Sequence, residues 1–247
     1  MIHVAAKAVL GPLLYAQASR LRRTALELPE PSGRRDGFAG SGKVALRLLI
    51  AGDSSAAGVG AATQDEALAA HLAGELARRL RGRVRWQLVA SSGARSEDVL
   101  HLLMRGRLHQ ADVGVVIVGV NDITKEVPLQ QALRKRGQIV ALMRKRCGIR
   151  HVLFPAVPEI ERFPALPQPL AWYAGRHARR NNAAQAAWLS GQEGASHVVM
   201  DGVLDPALMA DDGFHPAPPL YAKVARRLAD HIKREVLPRL DNEQGAT

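Results

Sequence analysis

The sequence predicts an open parallel α/β sheet covered by helices on both faces. Three observations predict it. Five short apolar runs alternate with longer helical patterns. The strongest run, "ADVGVVIVGV" at 111–120, is β-branched and uncharged after Asp112, as a strand buried on both faces should be. The chain has 247 residues, 47% hydrophobic and 23% charged, which suits a globular protein with one sizeable core or two small ones.

The elements follow in order. Residues 1–23 carry Ile2, Val9 and Leu13 on or near one face of an amphipathic helix. Residues 28–43, "LPEPSGRRDGFAGSGK", read as a linker or wrapping segment before the main domain at 44–240. "ALRLLIAG" (45–52) is the first strand. The helix at 63–82 has Thr63 and Glu66 at capping-box spacing, with Gly82 as its stop. "RVRWQLVA" (83–90) is the second strand. Ser96 then stands as N-cap of a helix with two acids in its first turn. After the third strand, a helix spans 128–147. "HVLFPAV" (151–157) is the fourth strand. A proline-rich loop and a helix over 170–189 precede the fifth, "SHVVMDG" (196–202). The last helix starts at Pro218 and Pro219 and stops near Val236, and residues 241–247 should fray.

The net charge of +11 invites a nucleic-acid or anionic-surface reading. Yet the arginines are spread along the chain, and no aromatic residues are interleaved among them for base stacking. A solvated basic surface, with no specific nucleic acid, is the expectation. One cysteine, Cys147, excludes an internal disulfide and fits a cytoplasmic protein. The N-terminal apolar stretch is broken by Lys7 and Pro12 and is shorter than the ~20 residues of a membrane span. "YAQA" keeps export as the lesser alternative, and Arg20 to Arg23 would permit loose attachment to a membrane surface.

Open α/β sheets place their sites beyond the carboxyl ends of the strands. Gly52-Asp53-Ser54 follows the first strand, "SSGARS" with Gly93 the second, and "GVND" with Asn121 the third. "DDGFHP", with Asp212 and His215, follows the fifth. Acyl transfer needs a nucleophile, a base, a group that orients the base, and donors for the oxyanion. Ser54, His215 and Asp212 supply the first three. The Ser54 and Gly93 backbone N–H groups and the Asn121 amide supply the donors. Asp53 reads as a brace for its loop rather than a catalytic acid. Ser55 is the runner-up nucleophile, and a slip from Asp212 to Asp211 is conceivable.

On these four blocks, "GDSSAAGVG", "SSGARSEDV", "GVND" and "DGFHP", the chain resembles an SGNH hydrolase of the GDSL esterase/lipase superfamily. They stand in the family's order and span about Val44 to Val236. The resemblance implies a flavodoxin-like three-layer α/β/α sandwich, here with five parallel strands. It also implies ester hydrolysis by a serine nucleophile on a small-molecule or glycan ester, with no cofactor and no metal. One departure is Ser55 where the family's name has leucine.

Other readings remain open. An acyltransferase, moving an acetyl group to a hydroxyl, would use the same residues. A nucleotide- or phosphate-binding loop is weakened because Gly58 and Gly60 lack a third glycine and no Walker lysine follows. Trp172, Tyr173 and Trp188 read as helix-packing residues, with Trp172 and Tyr173 the alternative lining of an acyl pocket. The few charges in the loop 158–169 suit a short or medium acyl group.

Overall fold

The computed structural model describes residues 2–245, with side chains from Leu10 to Asp241. Helix α1 (Ile2–Thr24) leads to strand β1 (Asp36–Ala39) and strand β2 (Val44–Gly52). Then come α2 (Ser54–Ala57), α3 (Leu68–Leu80), β3 (Arg83–Ala90), α4 (Ser96–Arg105), β4 (Val113–Ile117) and α5 (Val120–Thr124). The chain continues through α6 (Leu129–Cys147), β5 (His151–Pro155), α7 (Leu170–Ser190), β6 (Ala195–Val198), α8 (Pro218–His231) and α9 (Leu237–Gly245).

The sheet order is β1-β3-β2-β4-β5-β6. The five expected strands are all present and parallel to one another. A sixth was not expected: β1 lies within the supposed linker and pairs antiparallel with β3. Its four residues alternate between exposed and half-buried, so no apolar run marks it. Backbone pairing to the free edge of β3, rather than side-chain burial, makes it a strand.

Alternation along β2 shows how the layers form. Leu46, Leu48 and Ile50 join one apolar cluster with α3 and α8. Leu49 and Ala51 face the other side and join a cluster with residues of α4 and α6. A third, smaller cluster lies under the loop after β5, around Val157, Ile160 and Phe163. Burying each Leu or Ile fully contributes about 1.5–3 kcal/mol, so the two faces together hold the sheet.

Several local expectations give way to tertiary contacts. Thr63 precedes only a short 3-10 turn, Gln64–Glu66, and makes no side-chain cap bond. The helix proper begins at Leu68 and ends at Arg81, which takes the left-handed conformation (φ 51°) expected of Gly82. Gly82 has its own constraint, since a Cβ there would sit 2.8 Å from the Ala45 side chain. At the C-terminus the helix does not stop near Val236. It passes through a π-helical stretch, Ile232–Val236, into α9, and Ile232, Val236 and Leu240 are buried against the core.

In α1 the expected face is not the buried one: Leu14 is buried and Leu13 is 48% exposed. The Ile2 and Val9 side chains lie outside the described residues. Gln17 ties α1 to the start of α7, donating to the Gln168 carbonyl (2.7 Å) and accepting from the Leu170 N–H (3.2 Å). Among the described residues, no helix is long and apolar enough to cross a membrane.

Candidate active site

Gly52 ends β2 in a space where no side chain fits, because a Cβ would stand 2.2 Å from the Ile117 carbonyl oxygen. The Asp53 N–H then donates to that oxygen (3.0 Å), binding the loop to the end of β4. Asp53 caps α2, its carboxylate accepting from the Ser55 N–H at 3.0 Å. Burial pushes this carboxyl up to about 7, against the backbone N–H groups of Ser55 and Ala56. The charge of Asp122 adds to the rise. Asp53 is thus the expected brace. The Tyr221 hydroxyl holds the far side of the loop by donating to the Val59 carbonyl at 2.6 Å.

Ser54, on the first turn of α2, meets a residue 161 positions away. Its Oγ lies 2.8 Å from His215 Nε2. His215 Nδ1 lies 2.5 Å from Asp212 Oδ2. The other Asp212 oxygen accepts from the backbone N–H groups of Phe214 (2.9 Å) and His215 (3.0 Å), an Asx-type turn that locks the carboxylate. Burial pushes the Asp212 carboxyl up. The hydrogen bonds from the His215 ring and from the His215 and Phe214 N–H groups outweigh it and hold the group below its ordinary value. Asp212, not the exposed Asp211, faces the ring.

Ser54, Asn121 and His215 line one cavity of about 520 Å³. Ser55 lines it too, but the imidazole bonds Ser54. Gly93 sits outside that lining, on a turn at φ +73° that glycine adopts without strain. Its carbonyl accepts from Lys125 Nζ at 2.7 Å. Val118, Val157, Phe163, Met209 and Phe214 make an apolar wall, and the Glu161–Arg179 ion pair also borders the space. Trp172 and Tyr173 do not line it. Trp172 lies under the Arg176 guanidinium, and Trp188 packs edge-on to Phe154 in the core.

Beneath the site runs a buried polar cluster that sequence reasoning missed. Arg136 is fully buried. It donates to Asp122 Oδ2 (3.0 Å), Ser96 Oγ (3.2 Å), Gln185 Oε1 (2.6 Å) and Asn181 Oδ1 (3.1 Å). Asp122 in turn accepts from the Ser96 backbone N–H (3.0 Å) and hydroxyl (2.5 Å). Ser96, expected as an N-cap, therefore opens α4 by joining the Gly93 turn to the Asn121 segment. Removing one partner of such a buried pair costs about 3–5 kcal/mol. A signal was present: Ala132, Leu133, Arg136, Ile139, Val140 and Met143 share the buried stripe of α6, so a charge stands at a core position.

A doubly covered sheet with a Ser–His–Asp relay at its carboxyl edge defines an SGNH-type α/β/α protein. Residues 50–223 match the GDSL-like Lipase/Acylhydrolase family, and the chain belongs to that family. It is 28% identical over 207 residues to a GDSL-like esterase of Mycobacterium tuberculosis, covering 79% of this chain and 64% of that protein. The chain thus spans less than two thirds of that relative's length. Among solved structures, the lipase Lip_vut3 from a goat rumen metagenome superposes with a TM-score of 0.60 at 15% identity. That match covers 75% of this chain and 96% of the lipase. Est24, a carbohydrate acetylesterase from Sinorhizobium meliloti, gives 0.56 at 14% identity, over 76% and 98% of the two chains. These two likenesses are of fold.

Proposed function

We propose that this chain hydrolyses carboxylic esters of short or medium acyl groups, with Ser54 as nucleophile. The observation that carries the reading is the Ser54 Oγ–His215 Nε2 contact of 2.8 Å, backed by Asp212 on the other ring nitrogen. His215 takes the Ser54 proton as Oγ attacks the ester carbonyl, and Asp212 stabilises the imidazolium that forms. The Ser54 N–H and the Asn121 side-chain amide, on residues that line the cavity, donate to the tetrahedral oxyanion; the Gly93 N–H is the third donor of this proposal, from a turn outside that lining. His215 then protonates the leaving alkoxide, and a water molecule, deprotonated by the same ring, cleaves the acyl-enzyme.

The mixed lining of the cavity supports a short or medium acyl group. The apolar wall accepts a short chain, while Glu161 and Arg179 offer polar contacts to an alcohol such as a sugar hydroxyl. A fluorophosphonate probe and a p-nitrophenyl ester series of rising chain length test both parts. Ser54→Ala should lose labelling and at least about 10⁴-fold in kcat. Equal labelling of the two proteins would overturn the role of Ser54. A maximum at long chains would overturn the acyl preference.

A further inference from the structure

A second cavity, of about 360 Å³, opens between the edge strand β6 and the helix that runs from α8 into α9. None of its lining residues borders the Ser54 cavity. Its volume falls within the ~300–1,000 Å³ of small-ligand sites. Three imidazoles and a hydroxyl line it. His151 Nε2 lies 3.0 Å from Ser196 Oγ, which lies 3.2 Å from His231 Nε2. The hydroxyl has one proton, so it donates to one ring and accepts from the other.

The third ring, His197, has its tautomer set from the buried cluster. Arg136 can only donate, so Gln185 turns its Oε1 to Arg136 and its Nε2 to His197 Nδ1 (2.9 Å). Nδ1 therefore accepts, and the His197 proton sits on Nε2 as a donor.

Arg227, Arg234 and Arg239 also line this cavity. Arg227 is oriented by its Nε, which donates to the Val199 carbonyl at 2.9 Å, leaving its two terminal nitrogens for other partners. Arg234 forms no ion pair among the described residues. Two carboxylates line the cavity, and a third, Asp201, acts on His197 from outside the lining. Asp230 is taken by Arg79 from across the helix pair, and Glu235 stands 3.9 Å from Arg239. Burial, together with Arg227 and Arg239, lowers the affinity of the His231 ring for a proton, opposed by Glu235. Among the described residues neither Arg227 nor Arg234 has a carboxylate partner, so positive charge stands here beside the His197 Nε2–H donor.

We propose that this cavity is a binding site for the phosphate group of a small soluble molecule, such as a phosphate monoester. A phosphate dianion satisfies the guanidinium forks of Arg227 and Arg234 and the His197 Nε2–H donor together. A metal cation fits poorly, because the arginines repel it and one nitrogen of each imidazole (His151 Nε2, His231 Nε2 and His197 Nδ1) is already hydrogen-bonded. Among the described residues no group of three or more His, Cys, Asp or Glu side chains is placed to hold one. Nucleic acid fits poorly too, because no Phe, Tyr or Trp lines the cavity to stack on a base.

The test is calorimetric titration of the whole protein with inorganic phosphate at constant ionic strength, repeated with glycerol 3-phosphate. One saturable site is expected for both, weakened about ten-fold or more in the double variant Arg227→Gln/Arg234→Gln. Both arginines are exposed, so the variant should keep the wild-type melting temperature, and Arg234→Gln alone serves if it does not. A parallel arm measures retention on phosphatidylcholine vesicles containing phosphatidic acid. Phosphate binding that is non-saturable, or unchanged in the folded variants, overturns the site. Retention on those vesicles without competition by glycerol 3-phosphate overturns the soluble ligand.

Discussion

Two serines of this chain hydrogen-bond imidazole rings. Ser54 lies 2.8 Å from His215, and Ser196 lies between His151 and His231 at 3.0 and 3.2 Å. The difference lies in what stands behind each ring. His215 has the Asp212 carboxylate at 2.5 Å on its other nitrogen, so a positive charge formed there is compensated. His151 has arginines instead, and at His231 Glu235 is opposed by Arg227 and Arg239. Burial and then the charges of Arg239, His231 and Arg144 hold the His151 ring down to about 4. A serine beside a histidine is therefore not enough. The third group decides whether the ring can accept a proton when the hydroxyl gives one up.

Four experiments break or sharpen that contrast. The largest effect is expected from Asp212→Asn. The amide would donate to His215 Nδ1 and leave the ring's proton on the nitrogen facing Ser54. We expect a fall in kcat of roughly 10³–10⁴-fold with little change in KM, read by steady-state hydrolysis of a p-nitrophenyl ester. Retained activity would mean that Asp212 only shapes the turn.

Next is Asn121→Ala, which removes one of the proposed oxyanion donors but leaves the Ser54–His215–Asp212 contacts intact. A loss of about 10²–10³ in kcat is expected, with fluorophosphonate labelling slowed rather than abolished. An unchanged kcat would take Asn121 out of the oxyanion hole.

The third concerns the other imidazoles. The unfolded chain binds a proton on His151 below its ordinary value of 6.5, while the folded chain does so only near 4. Between those values the unfolded state holds more protons, so stability is lost as pH falls from 6.5 towards 4. His151 alone contributes about 3 kcal/mol to that loss. Raised Asp53 acts with the opposite sign, since the folded state holds its proton up to about 7. Ring NMR titration separates the two, and a His151 ring titrating near 6.5 would erase the contrast.

The smallest effect is a null. Mass mapping of the fluorophosphonate adduct on the wild type should find it on Ser54 and none on Ser196. An adduct on Ser196 would show that arginine-flanked imidazoles can activate a serine here.

The four blocks were legible because each follows a strand whose apolar run is local. Ser54, Asn121, Asp212 and His215 could be chosen from the rule that sites gather beyond carboxyl ends. Arg136 was not chosen, although its place on the apolar stripe of α6 marked it. A charge at a core position acquires meaning only with its partners, and Asp122, Asn181 and Gln185 come from other elements. The strand β1 was hidden for a related reason. Its alternating, half-exposed residues resemble a loop until β3 offers an unpaired edge.

The sequence by itself determined the five parallel strands, the helices between them and the candidate Ser, Asn, Asp and His. Those features rest on periodicity and short-range chemistry, which a single chain segment carries alone. Tertiary structure alone decided that β1 pairs with β3 and that Arg136 meets Asp122, Asn181 and Gln185. It also decided that Arg81 takes the left-handed turn and that three histidines converge with arginines at a second cavity. These depend on distances between residues far apart in the chain, which hydrophobic patterning leaves free and only packing sets.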